Sequence, residues 1–317
     1  MVSRTLTYTA EAAFALRKEN FPDQIQFYAP GLKRYSTASF EQSNPQAFLP
    51  ISLTGSACAL QCDHCAAKIL EPMIPLNPKE GLFALCQRMA ATGTEGILIS
   101  GGSKRTGEVP LTKHLKDITR IKEELGLKVM VHSGLVDEKM AEGLKNAGID
   151  GVAIDIMGSE ETIREVYHLD AKVEDFERSL QILSQYELSI RPHIILGLHY
   201  GKFLGEYTAL EMISKYPVHA LVIVILTPML GTPMKSVTPP DRSEVEQFFI
   251  KSRLQMPQTL IMLGCARPGG EYKEYVDFAA IDAGLNGIAF PAEGVVEYAQ
   301  KRGLEVHFYE NSCSCGC

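Results

Sequence analysis

The feature that most narrows the folds open to this chain is one junction written four times: Gly126-Leu127-Lys128-Val129, Gly148-Ile149-Asp150-Gly151, Gly284-Leu285-Asn286-Gly287 and Gly303-Leu304-Glu305-Val306. Each places a glycine suited to a left-handed helix cap, then an apolar residue, just before a strand-forming run. The apolar runs lie at 48–54, 96–101, 128–134, 151–157, 188–198, 220–229, 259–266 and 287–291. Amphipathic stretches separate them. Leu115, Ile118, Ile121 and Leu125 share one helical face, as do Met140, Leu144 and Ala147 behind the capping residue Asp137. Eight such strand-helix units predict an α/β chain folded as a (β/α)8 TIM-type barrel, with functional residues gathered at the carboxyl ends of the strands. A doubly wound open sheet fits the same alternation.

Three segments follow from this pattern. Residues 1–47 form an N-terminal helical extension, with a helix over about 9–20 capped by Thr9 and irregular chain beyond it. Residues 48–303 form the barrel, whose fourth unit carries a two-part helical insertion at 160–170 and 172–186. Residues 304–317 form a cysteine-rich tail that opens with a ninth short strand, Leu304 to Tyr309.

Composition limits the function classes. The chain has 317 residues, 45% of them hydrophobic, enough for one large domain or two small ones. No run reaches the length of a membrane span and no basic-then-apolar leader is visible, so a cytoplasmic protein without a membrane partner is expected. A formal charge of −7, with no basic block or stripe, argues against nucleic acid as a partner. Eight cysteines without an export signal read as metal ligands or thiols rather than disulfides.

Three of those cysteines, Cys58, Cys62 and Cys65, stand in the spacing C-x3-C-x2-C directly after the first apolar run. Three thiolates occupy three irons of a [4Fe–4S] cube and leave the fourth open to a small molecule. A closed zinc site wants four ligands, and His64, pinned between two cysteines, is expected to reach the same ion poorly. Other strand ends also carry polar residues. Ser100-Gly101-Gly102-Ser103 follows the second strand, and two glycines let backbone approach a ligand closely. Asp155 is in phase with Ala153 and Met157 on the fourth strand and opposite in phase to Val152, Ile154 and Ile156; pointing inward, it would need a hydrogen-bonding partner such as a ribose or substrate. Arg191 and His193 are polar residues in a buried-looking fifth strand. The loops Thr227 to Pro233 and Cys265 to Pro268 would overhang the barrel mouth, and Cys86 shares an apolar helix face. His114, His168, His219 and His307 have no constellation around them and read as surface or satisfied residues.

The cysteine motif with His64 before its last cysteine resembles the radical S-adenosylmethionine (SAM) superfamily. The resemblance implies a [4Fe–4S] cluster held by Cys58, Cys62 and Cys65 that chelates SAM and cleaves it reductively. It also implies that Ser100, Gly101 and Gly102 meet the methionine part of SAM, although Ser103 stands where the family pattern is acidic. Ile195 and Gly197 match the family's adenosine-side stretch, while His193 and Tyr200 depart from it, and Arg191 or His193 would meet a carboxylate of SAM or substrate.

Cys313, Cys315 and Cys317 crowd the last five residues, a metal-binding composition. In a straight strand the first and third would lie ~13 Å apart, so a bend at Gly316 is needed for one cluster. The stretches FYAPGLKRY, VHSGLVDE, YHLD, PHIILGLHYG and LGCARPGG together resemble the biotin-synthase-like radical SAM proteins that include the two-component lipoyl synthases. In biotin synthase the donor cluster is held on barrel strands, at places that correspond here to Met130 and Arg191. The lipoyl synthases present a donor cluster from terminal segments. The likeness therefore implies an auxiliary [4Fe–4S] cluster on Cys313, Cys315 and Cys317, its fourth iron bound by Cys265, by Ser312 or by nothing. It implies sulfur insertion into an octanoyl-lysine group on a carrier protein, together with a second related radical SAM chain and an electron donor such as ferredoxin or flavodoxin. Two rivals remain: a radical SAM mutase or cofactor-assembly enzyme without a donor cluster, and a non-catalytic metal-binding interaction protein.

Overall fold

The computed structural model of the chain describes residues 9–31 and 34–312. The first helix runs Ala10–Asn20, and the Thr9 hydroxyl accepts a hydrogen bond from the Ala12 N–H, the predicted cap. The strands that follow are β1 (Gln24–Tyr28), the small hairpin β2 (Ser36–Thr37) and β3 (Phe40–Glu41), β4 (Phe48–Ser52), β5 (Ile74–Pro75), β6 (Gly96–Ser100) and β7 (Lys128–His132). They continue with β8 (Gly151–Asp155), β9 (Ile190–Leu196), β10 (Ala220–Ile225), β11 (Leu260–Leu263), β12 (Gly287–Ala289) and β13 (Glu305–Tyr309).

One curled sheet runs in the order β13-β1-β12-β11-β10-β9-β8-β7-β6-β4-β5. Every pairing in it is parallel. The eight predicted strands are β4 and β6 through β12, each next to its successor, as βαβ connections of one hand require. Side chains alternate across this sheet. Ile97, Ile99, Val129, Val131, Val152, Ile154, Ile223 and Ile225 turn outward into the helix layer, whereas Phe48, Met130, Val222, Met262 and Tyr28 belong to separate clusters on the inner face. The fourth unit splits into helices Glu160–Glu165 and Val173–Gln185, as expected from its length.

The structure departs from the sequence reading in the N-terminal segment. Gln24–Tyr28, read as irregular chain, is a strand inserted between β12 and β13. Its Ile25 and Phe27 are fully buried. Five residues among turn-forming neighbours carry little local signal, and the partners that stabilise them lie more than 250 positions away in sequence. The seam also differs from a closed ladder. Among the described residues no strand pairing joins β1 to β4; instead the Gly31 N–H donates to the Phe48 carbonyl at 3.1 Å. A Cβ on Gly31 would sit 2.1 Å from the Pro45 carbonyl oxygen, so only glycine fits this seam. Glu310 follows β13 and accepts from the Ser43 and Asn44 N–H groups, fixing the carboxyl end of the described chain to the N-terminal segment. The tail cysteines Cys313, Cys315 and Cys317 lie outside the described residues. No helix among the described residues is long and apolar enough to cross a membrane.

Candidate active site at the strand ends

The loop that follows β4 is wound tightly around its cysteines. Ala66 and Ala67 take left-handed backbone conformations (φ 43° and 62°), and the Cys62 carbonyl accepts from both the Cys65 and Ala66 N–H groups. The Gly-Gly turn after β6 packs against this loop. Ala59 N–H donates to the Ser103 carbonyl at 2.9 Å, and Gly102 N–H donates to Thr54 Oγ1 at 2.7 Å. A Cβ on Gly102 would lie 2.0 Å from the Ala57 oxygen and 2.5 Å from the Cys58 Cα. Glycine here is thus required by contact between two loops, a reason distinct from approach to a ligand.

Between these loops and the strand ends lies a cavity of about 350 Å³. Cys58, Cys62 and Cys65 form one wall with His64, and Ser100, Gly101, Gly102 and Ser103 form another. The rest is largely apolar, including Leu60, Leu70, Met73, Leu98, Ile195, Val224 and Met229. Three polar side chains face into it from the fourth-unit side: His132, Asp155 and Tyr167. Thr227, Met229 and Ala266 place the two predicted overhanging loops at its edge.

The ligand atoms of Cys62, His64 and Cys65 all lie within 4.8 Å of one another. This corrects the expectation that His64 could hardly reach the same ion as the cysteines beside it. Its ring stacks on Tyr167 with centroids 5.3 Å apart, which turns the imidazole toward the thiols. Its Nδ1 is buried without a hydrogen-bond partner among the described residues. The hydrogen bond between the two buried thiols pulls the Cys65 thiol down to about 4, with His64 adding to the effect, and pushes the Cys62 thiol up. Three soft sulfur donors on one wall, open space before them and a glycine cradle behind them fit a thiolate-held iron–sulfur group.

Asp155 is the electrostatic centre of the opposite side. Burial pushes its carboxyl up, but the attraction of His132, His193 and His64 outweighs that and holds it well below the usual carboxylate range. His132 Nε2 lies 3.4 Å from Asp155 Oδ1, and the Tyr167 hydroxyl donates to Asp155 Oδ2 at 3.2 Å. Burial pushes the His132 imidazole down, and Asp155 more than reverses this, so its titration is raised. His193 is pushed down by burial to about 4 and is neutral near pH 7. One test follows. Asp155→Asn removes the only effect that raises His132, so its titration, followed by NMR of the ring, should move from above about 6.5 to below it. No change on this substitution would mean that the pair does not interact. In linkage terms, the raised His132 contributes stability below about 6.5 that is lost as pH rises through its folded value. The depressed Asp155 contributes stability above about 3.9 that is lost as pH falls through its own.

The structure brings some of the predicted residues together and sets others aside. His64, Ser100, Gly101, Gly102 and Asp155 line the cavity with the three cysteines. Arg191 does not. Its guanidinium Nη1 donates to the Asp150 and Ser189 carbonyls, at the amino ends of β8 and β9, where a Cβ on Gly151 would strike it at 1.9 Å. His193 pairs with Asp155 across β8 and β9 but does not line the cavity; its ring lies 6.0 Å from that of His132 and its Nδ1 against the Arg191 carbonyl. Gly197 packs against Pro240, and its N–H donates to the buried Glu206 carboxylate. Polar character in a buried-looking strand pointed to Arg191 and His193, and the family resemblance to Gly197, but none of the three lines the cavity. Cys265 is exposed beside the cavity residue Ala266, on a loop held by the buried Arg267–Asp277 pair at 2.6 and 2.9 Å. Sequence reasoning missed His132 and Tyr167. His132 was legible, being in phase with inward-facing Met130 at a strand end, but Tyr167 lies in an insertion with no periodic signal. His168, read as having no constellation, bonds Asp63 at 2.8 Å. Cys86 is fully buried in the helix layer, as expected.

A curled parallel sheet whose strand ends open on one cavity is the arrangement of a barrel enzyme with its chemistry at the mouth. Residues 52–202 match the Radical SAM superfamily. The chain is 24% identical over 226 residues to biotin synthase of Hyphomonas neptunium, covering 68% of this chain and 69% of that one. It is 27% identical over 231 residues to biotin synthase 2 of Corynebacterium diphtheriae, covering 68% and 67%. Among solved structures it shares its fold with methylornithine synthase (TM-score 0.64, 15% identity, 97% of this chain and 90% of that one) and with the [FeFe]-hydrogenase maturase HydG (TM-score 0.63, 13% identity, 94% and 67%). Residues 52–202 thus carry a radical SAM domain. Over about two thirds of its length the chain is similar to biotin synthases.

Proposed function

We propose that this enzyme inserts sulfur into an octanoyl-lysine group presented by a carrier protein or peptide, a step in making the lipoyl cofactor. The observation that carries the reading is the cavity. It opens directly in front of three thiols; beyond the cysteine and Gly-Gly walls its lining is mostly apolar, with His132, Asp155 and Tyr167 on one side and Thr227 at the edge, so it suits an unbranched acyl chain with polar anchoring on one side. Aliphatic C–H bonds have no acidity for a general base to exploit, which is why such a substrate calls for radical chemistry. Similarity to biotin synthases supports sulfur insertion as the reaction type.

In this reading Cys58, Cys62 and Cys65 hold a [4Fe–4S] cluster, which with SAM supplies a 5′-deoxyadenosyl radical when bound. Ser100 and the Gly-Gly turn shape the SAM side of the cavity. Asp155, kept ionised by its histidines, accepts hydrogen bonds from ribose or substrate hydroxyl groups. Leu70, Met73, Ile195 and Val224 exclude water around the acyl chain. The sulfur donor is assigned to the tail, with Cys313, Cys315 and Cys317 as ligands of a second cluster and Cys265 or Ser312 as a further ligand. Support comes from the barrel interior: where biotin synthase holds its donor cluster, this chain has Met130 and Arg191 packed against Gly151, which leaves little room for another group. A second related radical SAM chain and a ferredoxin or flavodoxin reductant complete the system.

Iron and acid-labile sulfide per chain after anaerobic reconstitution test the assignment. About eight irons are expected in the native chain and about four in the Cys313/Cys315/Cys317 triple alanine variant. An octanoyl-lysine peptide incubated with the chain, its partner, SAM and reductant should gain mass from sulfur. About four irons in both proteins, or methionine and 5′-deoxyadenosine without any sulfur gain, would remove the donor assignment.

A further inference from the structure

Asp63 stands between Cys62 and Cys65, yet the cavity account uses neither it nor the residues it holds. Its contacts come from three other loops. The Asp63 N–H donates to the Val166 carbonyl at 2.9 Å, and its own carbonyl accepts from the Met234 N–H at 3.4 Å. One carboxylate oxygen meets His168 Nε2 at 2.8 Å, and the other accepts from the Tyr200 hydroxyl at 2.7 Å. His168 and Tyr200 both adopt left-handed backbone conformations, φ 54° and 51°, which bulky side chains rarely take. Tyr200 is also the residue that replaces the glutamate of the family stretch after β9. Here its hydroxyl reaches across to the cysteine loop.

The segment Val166 to His168 thus grips the cysteine loop at three points. Val166 accepts from Asp63, the Tyr167 carbonyl accepts from Cys62 Sγ at 3.7 Å, and His168 meets the Asp63 carboxylate. The Tyr167 hydroxyl continues the connection to Asp155 on the far wall. The loop's own hydrogen bonds are local turns, Cys65 and Ala66 N–H to the Cys62 carbonyl and Lys68 N–H to that of Cys65, with two consecutive left-handed alanines between them. Contacts from the neighbouring loops supply the rest of its anchoring. We propose that Asp63 is a positioning residue. Clamped by His168 and Tyr200, it pre-shapes the cysteine loop before any cluster is bound. Its carboxylate, next in sequence to Cys62 but not among the residues that line the cavity, then biases the cluster toward its oxidised state.

The second half of this inference rests on the assignment of Cys58, Cys62 and Cys65 as cluster ligands; the first half does not. Hydrogen exchange of the full metal-free chain tests the first half. Asp63→Asn is expected to speed exchange in residues 55–68 at least tenfold while β9 and β10 keep their protection, and Tyr200→Phe, which removes one hydrogen bond and no charge, to speed it less. Redox titration of the reconstituted chain, read on the cluster signal that SAM perturbs, tests the second half. Asp63→Asn should raise the midpoint potential, Tyr200→Phe should leave it in place, and Asp63→Glu should restore it without restoring loop protection. Native exchange in the Asp63→Asn loop, or loss of protection in β9 and β10 as well, would overturn the pre-shaping role. A native potential in Asp63→Asn would overturn the electrostatic one. Failure of the sulfur-insertion reading alone would leave both results as expected.

Discussion

Cys62→Ala is expected to abolish iron loading at the first site and to lower reductive SAM cleavage at least about a thousandfold, the scale on which groups that act as a unit fail together. The thiol is buried beside Cys65, and the two are tied by a hydrogen bond that makes one proton easy to lose and the other hard. Removing either thiol therefore removes a donor and also the stabilisation of its neighbour's thiolate. The fold should survive, because the lost side chain is small and the loop keeps its hydrogen bonds to Val166 and Ser103. Cys86→Ala is the matched control. Burial pushes that thiol up to about 12 and it touches only the helix layer, so iron content and SAM cleavage should be unchanged. Iron analysis and 5′-deoxyadenosine formation on the two variants check the pair of predictions, and equal cleavage by both would exclude Cys62 from the cluster.

Gly102→Ala should be strongly damaging for the addition of one methyl group. Its new carbon would fall 2.0 Å from the Ala57 oxygen and 2.6 Å from the Cys58 Cβ, so the two loops cannot keep their spacing. Overpacking of this kind costs about 3 kcal/mol or more, and here the loop that must move carries the first cysteine. Reduced iron content and a lower melting temperature are both expected. Gly101→Ala tests the argument from the other side: its added carbon would meet Leu53 and Thr54 at 3.3 Å, which a shift of a few tenths of an ångström relieves. If the two variants behave alike, the close contact at Gly102 is not what holds the loops together.

Eight strands were legible because a strand buried on both faces must be written as an apolar run, and because a helix feeding a strand ends with a glycine cap. The class of chemistry was legible for a similar reason. Cysteines at fixed short spacing in one loop need no tertiary information to be recognised as a ligand set. Strand phase also set Asp155 on the face opposite Val152, Ile154 and Ile156, and the structure turns that face to the cavity, since side chains alternate faces whatever the sheet does next.

Phase says nothing about height, and this is where Arg191 was misread. Arg191 and Ile195 point the same way on β9, but Arg191 lies at the amino end, tied to Asp150 and Ser189, while Ile195 reaches the cavity. Which level a residue occupies depends on how neighbouring strands are staggered, and no local pattern encodes that. The same holds for β1, whose partners are β12 and β13. It holds again for Asp63, His168 and Tyr200, which are up to 137 residues apart and meet only once three loops arrive at one barrel mouth. The sequence by itself determined the alternation of elements, the inward faces and the cysteine chemistry, because each is written in spacings of a few residues. Tertiary structure alone decided which inward residues reach the cavity, how the sheet is seamed at Gly31 and what grips the cysteine loop, because each depends on contacts between segments whose order in the chain carries no record of their distance in space.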